Sequence, residues 1–283
     1  MSAEPTTLTY EVTGAIARIT LDRPERGNGI TLAMPGELAE CVERANLDPA
    51  VHVIALAGRG KGFCGGYDLV EFAEGGMPNH DPTRPWDPVI DWQMMSRNLR
   101  GFMSLFHSDK PVACKVHGFC VAGGTDMALC SDLLVVADDA RIGYPPARVW
   151  GVPTSALWAF RIGDQRAKRM LFTGDLITGR EALEWGLAIE APPASDLDAR
   201  FEALIERIAL TPVNQLVMMK LLVNQALYAQ GLHATQALGV FFDGVARHTV
   251  EGYAFQRRAA EVGFKQAVRE RDEPYGEDSG RGR

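Results

Sequence analysis

Three near-unbroken apolar runs mark the first half of the chain: Val51–Ala57 (VHVIALA), Val112–Val116 (VACKV) and Leu133–Ala137 (LLVVA). Short runs without polar alternation predict strands covered on both faces. Ahead of them, Leu8–Glu11 and Ala15–Leu21 flank Thr13-Gly14 and predict a β-hairpin, which Asp22-Arg23-Pro24 ends. The spacing then becomes helical over Thr31–Asn46, where Met34, Leu38, Cys41, Val42 and Ala45 share a face. A further helix, from about Val89 to His107, returns the chain to the strand after Pro111. Strands alternating with helices predict an α/β fold with a mainly parallel core.

From Ser155 onward the pattern is helical. Short segments, Ala156–Ile162, Gln165–Thr173 and Gly179–Trp185, are separated by Gly163 and Gly174. Longer amphipathic segments follow at Asp196–Ala209, Pro212–Ala229, Ala234–His248 and Val250–Glu270. The chain thus divides into a core over 1–195, a helical region over 196–270 of the kind used for packing between subunits, and a charged tail. That tail, 271–283, is expected to be disordered. Between 71 and 88, glycines and prolines predict an irregular excursion. Trp86, set between Pro85 and Asp87-Pro88, predicts that it packs on something.

The densest chemistry lies in Lys110–Asp132 (KPVACKVHGFCVAGGTDMALCSD). An apolar strand stops at Gly118, and the small-residue turn Val121-Ala122-Gly123-Gly124 opens a helix that carries Asp126. Strand, glycine turn and helix start together leave backbone N–H groups free to hold an anion or a developing oxyanion. Asp126, three residues beyond Gly123, shares the helix face of that N–H. The same residues also suit an ordinary helix with a capping or solvated carboxylate. Earlier, Arg26-Gly27-Asn28-Gly29 permits close approach of a ligand and equally makes a plain turn.

Composition narrows the classes. At 46% hydrophobic and 23% charged, the 283 residues are ordinary for a soluble protein with a sizeable core. A net charge of −7 speaks against nucleic acid as a partner. No apolar run has the length of a membrane span and no basic-then-apolar leader is present, so neither membrane nor secretion is expected. The five cysteines lack CxxC spacing and sit in apolar surroundings, as buried thiols of a reducing compartment would, and the cytoplasm is the expected location. The six histidines lack ligand spacing, so no metal is expected. Gly60-Lys61-Gly62-Phe63-Cys64-Gly65 matches a dinucleotide fingerprint after a strand. However, Gly75-Gly76 and Pro78, Pro82, Pro85 and Pro88 break the chain where that fold needs a long helix.

Four segments in order resemble the enoyl-CoA hydratase/isomerase (crotonase) family, over roughly residues 8–266. Leu21–Asn28 (LDRPERGN) is similar to the family's N-R-P-x-x-x-N-A entry strand, and Gly62–Leu69 (GFCGGYDL) to its F-x-A-G-x-D-[IL] loop. Gly118–Asp132 resembles G-x-x-x-G-G-G-x-E-L…C-D, and Leu171–Asp175 (LFTGD) its T-G helix cap. The resemblance implies a crotonase-like spiral of ββα turns with a helical C-terminal region that assembles a homotrimer or homohexamer. It implies an acyl-CoA thioester substrate and no separate cofactor, since coenzyme A is part of the substrate. The backbone N–H groups of Tyr67 and Gly123 would form an oxyanion hole. Arg26, Gly27, Cys64, Gly65, Gly66, Asp68, Leu69, Ala122 and Gly124 would line the substrate site. Phe264 matches a position that reaches a neighbouring subunit's CoA.

Departures from the family pattern set the chemistry. Where a hydratase of this family has two glutamates, this chain has Asp126 and Pro146, and Ala122 replaces the first glycine of the triple. Asp126 is then the expected acid/base of a hydratase-like lyase. A double-bond isomerase and a thioester binder with little turnover are the alternatives. Tyr144, Arg148, Asp87 and Asp91 are candidate helpers.

Overall fold

The structure is a computed structural model that describes residues 4–74, 81 and 83–276. The predicted hairpin is β1 (Leu8–Thr13) and β2 (Ile16–Leu21), antiparallel with Leu8 opposite Leu21. α1 (Met34–Leu47) buries the predicted stripe and leads to β3 (Val53–Gly58), parallel to β2. After a short helical turn at Val70–Glu74 comes α2 (Pro88–His107), capped by Asp87, whose side chain accepts from Val89 N–H. Among the described residues, the Gly60–Gly65 loop leads into only the short helical turn at Val70–Glu74 before α2. Its glycines instead admit neighbours: a side chain on Gly62 would meet the Phe119 ring, and one on Gly60 would meet Pro24.

β4 (Val112–Val116) runs parallel to β3, and the chain then turns at Gly118 into β5 (Phe119–Val121). Gly118 has φ 59°, and a side chain there would run into the Lys61 carbonyl. Only glycine permits that turn. α3 (Gly123–Leu129) follows, then β6 (Leu133–Val136), parallel to β4, and β7 (Arg141–Gly143), parallel to β5. Each passage therefore lays one strand in a five-stranded sheet, order β1-β2-β3-β4-β6, and a shorter one in a second sheet before the next helix. The loop after β3 makes the same move in reduced form, a bridge between Cys64 and Cys120.

α4 (Trp158–Ile162) and α5 (Asp164–Thr173) precede β8 (Leu176–Thr178), antiparallel to β7, and α6 (Gly179–Trp185). The C-terminal helices are α7 (Leu197–Ala209), α8 (Val213–Ala229), α9 (Leu232–Arg247), α10 (Val250–Val262) and α11 (Phe264–Asp272). The helix expected over Val250–Glu270 is thus two helices, broken at Gly263 (φ 79°). α11 folds back, and Arg258 pairs with Glu270 at 2.8 Å. α8 is fastened to the core by buried Lys220, which pairs with Asp132 at 2.8 Å. Its other side, with α9, leaves Leu222, Val223, Leu238, Phe241 and Phe242 exposed.

The tail expected from Arg271 is ordered at its start. Asp272 is buried and accepts from Arg148 at 2.9 Å, and the Arg148 guanidinium lies 4.0 Å from the centroid of the Tyr275 ring. Residues 277–283 lie outside the described residues, as do 75–80 and 82 of the excursion. Trp86 packs as expected: it donates to Asp91 at 2.6 Å and stacks on His248. Among the described residues, no helix is long and apolar enough to cross a membrane.

Candidate active site

Two side chains fasten the loops that carry the motifs. Asn28 is fully buried at φ 53°; its amide nitrogen donates to the carbonyls of Arg59, Gly62 and Phe63, and its oxygen accepts from Arg23 N–H. Asp68 is clamped by Arg26 (2.6 Å) and Arg23 (3.0 Å). Burial alone would raise the Asp68 pKa, but hydrogen bonds from the two arginines outweigh it and hold it below the usual carboxylate range. Asn28, Arg26 and Asp68 therefore hold the 23–30 turn against the 59–68 loop.

That clamp fixes the backbone at Tyr67. Ile30 N–H donates to the Gly66 carbonyl (2.8 Å) and Asp68 N–H donates to the Ile30 carbonyl (3.0 Å). In such a parallel bridge the bonds go to the residues on either side of Tyr67, and its own N–H faces away from Ile30. The second turn is built differently. Ala122 N–H donates to the Gly143 carbonyl, and the Ala122 carbonyl receives Thr125 N–H and Asp126 N–H. Gly123 is the first residue of α3, so its N–H has no carbonyl one turn behind it. Ala122 holds φ 53°, a left-handed conformation costly for alanine. The two turns touch. A side-chain carbon on Gly123 would lie 2.9 Å from the Tyr67 ring, and one on Gly66 would lie 3.4 Å from the Gly123 nitrogen.

Both turns open on one cavity of about 440 Å³, lined by Gly65, Tyr67, Leu69, Ala122 and Gly123 of the expected residues. Arg26, Gly27, Cys64, Gly66, Asp68, Gly124 and Phe264 are not in its wall. Gly124 instead admits the Cys64 carbonyl, which a side chain would meet at 2.6 Å. Pro145 and Pro146 form part of the wall, with Met94, Met95 and Trp150. Phe264 packs with Phe255, Ala259 and Ala267, while Lys265, Arg269 and Arg271 give one side of the cavity a basic lining.

Asp126 stands behind the wall rather than in it. It is fully buried; Oδ1 accepts from Ser155 N–H (2.9 Å) and Ser155 Oγ–H (2.7 Å), and Oδ2 has no hydrogen-bond partner. Burial pushes its pKa up to about 7, against the pull of both Ser155 hydrogen bonds. A carboxyl poised there can exchange a proton at neutral pH.

The acidic groups that do line the cavity come from the C-terminal helices, and sequence reasoning missed them. Asp243 and Arg247 of α9 form a buried ion pair, and Arg247 also pairs with Asp91 at 2.8 Å. Burial would lower the Arg247 pKa, but the two aspartates outweigh it and keep the guanidinium charged. A signal existed: Val240, Asp243, Gly244 and Arg247 have the spacing of a buried face, and two of the four are charged. Tyr67 and Tyr144 also line the cavity. Burial raises both phenol pKa values, with the charges of Asp126 and Asp243 adding to it, so both stay protonated. Asn98 donates to the Tyr67 hydroxyl at 3.3 Å.

Residues 11–249 match the enoyl-CoA hydratase/isomerase family. A crystal structure of enoyl-CoA hydratase from Mycobacterium smegmatis superposes with a TM-score of 0.92 at 59% identity, over 96% of this chain and 95% of that one. The carnitinyl-CoA dehydratase of Proteus mirabilis is 30% identical over 200 residues, covering 69% of this chain and 72% of that protein. The 1,2-epoxyphenylacetyl-CoA isomerase of Escherichia coli is 28% identical over 214 residues, covering 75% of this chain and 79% of that protein.

Proposed function

The chain belongs to the enoyl-CoA hydratase/isomerase family, and from that membership we propose that it binds an acyl-CoA thioester and stabilises its enolate between the N–H groups of Tyr67 and Gly123. One observation carries this reading: two backbone turns, fixed by unrelated contacts, meet at the wall of a single cavity. Amides held in place before the reaction stabilise a developing oxyanion without reorganising, and one such donor contributes about 3–4 kcal/mol to the transition state. The apolar wall around Leu69, Met94 and Met95 suits an acyl chain, and the basic lining at Lys265, Arg269 and Arg271 suits the phosphates of CoA.

Hydration of an enoyl-CoA is the reaction we assign first. Asp126, with one buried oxygen unpartnered and a pKa near 7, is the proposed acid/base of the helix that presents Gly123. Double-bond isomerisation is the second reading. It is favoured by Pro146, which lines the cavity and has no proton to transfer. The exposed apolar face of α8 and α9 supports assembly into a homotrimer or homohexamer.

The deciding experiment is turnover of crotonyl-CoA and of a 3-enoyl-CoA by wild type and Asp126→Asn. Hydration that Asp126→Asn abolishes supports the first reading. Activity confined to the 3-enoyl thioester supports the isomerase. Binding of both thioesters without turnover of either refutes both.

A further inference from the structure

We propose that Asp243 is the carboxylate that takes a proton from the substrate's carbon in this cavity and returns it. The assignment rests on the acyl-CoA reading above and adds to it a base supplied by the C-terminal helical region.

The titratable groups in the wall leave few choices. The hydroxyls of Tyr67 and Tyr144 are held protonated, and Arg247, Lys265, Arg269 and Arg271 are cations. Among the described residues of the wall, two carboxylates remain, Asp243 and Asp272. Asp272 accepts from Arg148 (2.9 Å) and Arg271 (2.8 Å) on Oδ1 and from Arg271 again (3.0 Å) on Oδ2. Asp243 carries a lighter load, with Val152 N–H on Oδ1 (3.2 Å) and Arg247 on Oδ2. A carboxylate oxygen accepts two hydrogen bonds, so each Asp243 oxygen keeps an open lone pair. Asp243 lines the same cavity as Tyr67, Gly123 and Tyr144.

The packing of α9 is what brings Asp243 there. Gly239 and Gly244 let the helix close in: side chains at these positions would meet the Pro153 carbonyl at 2.9 Å and Asp91 at 3.1 Å. Arg247, shared between Asp243 and Asp91, then holds the carboxylate in place, with Trp86 donating to Asp91 from the other side. The hydrogen bond to Val152 ties Asp243 to the segment that carries Pro145 and Pro146.

The step balances within the site. An Asp243 oxygen takes H⁺ from the carbon beside the thioester carbonyl. The C–H electron pair becomes a C=C bond, and the carbonyl pair moves onto oxygen, facing Tyr67 N–H and Gly123 N–H. Return of the same proton to either end of the enolate system regenerates the carboxylate, with nothing oxidised or reduced.

The test is deuterium uptake from D₂O into the α position of butyryl-CoA, followed by NMR, for wild type, Asp243→Asn, Asp243→Glu and Asp126→Asn, with butyryl-CoA affinity measured for each. Asp243→Asn is expected to lower the exchange rate by about 10²-fold or more while affinity stays within about threefold. Asp243→Glu, which keeps a carboxylate displaced by one methylene, is expected to fall between the two. A merely structural role would weaken binding together with exchange and gain nothing from Glu. If Asp243→Asn does not fold, Asp243→Glu decides: slower exchange at unchanged affinity supports the assignment, and exchange at the wild-type rate overturns it. Wild-type exchange in Asp243→Asn overturns it too, whether or not Asp126→Asn is inactive. A wild-type protein that neither exchanges deuterium nor turns over crotonyl-CoA overturns the enolate reading itself, and this assignment with it.

Discussion

A methyl group on Gly66 would lie 2.7 Å from the Ala122 methyl and 3.4 Å from the Gly123 amide nitrogen. Gly66 also holds φ 94°, where alanine is strained. Gly66→Ala therefore pushes apart the two turns that present the Tyr67 and Gly123 amides. Loss of one donor predicts a fall in kcat on the preferred thioester of about 10²–10³-fold, with a smaller change in KM. Steady-state kinetics check this, and an unchanged kcat would remove the amides from the mechanism.

The Asp126 carboxyl holds its proton to about pH 7 when folded, against an ordinary value of 3.8. Between those values the folded chain binds the extra proton, so wild-type stability falls as pH rises through the window and levels off above it. Asp126→Asn has no such proton to lose. Its stability relative to wild type should climb over the same window by on the order of 4 kcal/mol. Denaturant melts at about pH 4 and about pH 8 measure this, and a pH-independent difference would show that Asp126 titrates as an ordinary carboxylate.

Leu222 and Phe242 are 69% and 47% exposed on α8 and α9, beside further apolar side chains. A face of this kind predicts self-association. Analytical ultracentrifugation should find wild type as a trimer or hexamer, and Leu222→Glu with Phe242→Asp should release smaller species that keep their helical content. A wild-type monomer at micromolar concentration would refute this use of the face.

All five cysteines are buried free thiols. Burial pushes Cys41 up to about 11 and Cys64 up to about 12, and it raises Cys114, Cys120 and Cys130 as well. Since the thiolate is the reactive form, a disulfide reagent at neutral pH should label none of them in the native protein and all five after denaturation.

The sequence was readable where a long element carries one dominant periodicity. β3, β4, β6, α1 and α2 lie within a few residues of their predicted spans, because buried stripes leave a direct signal. β5, β7 and β8 were missed. Three residues are too few to show alternation, and their pairing is decided by turns such as Gly118. At the site, the Gly123 turn was readable from small residues set between a strand and a helix, whereas Tyr67 was singled out only by the family resemblance. Asp68 was readable as a motif residue but not as a clamp, since its partners Arg23 and Arg26 lie over forty residues away. Asp243 and Arg247 were hidden because nothing local relates α9 to a cavity that is also lined by Tyr67 and Gly123.

The cavity wall draws on Gly65 near one end of the chain and on Asp272 near the other. During synthesis the amide-bearing turns emerge from the ribosome long before α11 does. The last enclosing surface is thus translated after every strand, and a chain cut short before α11 would leave this cavity open to water.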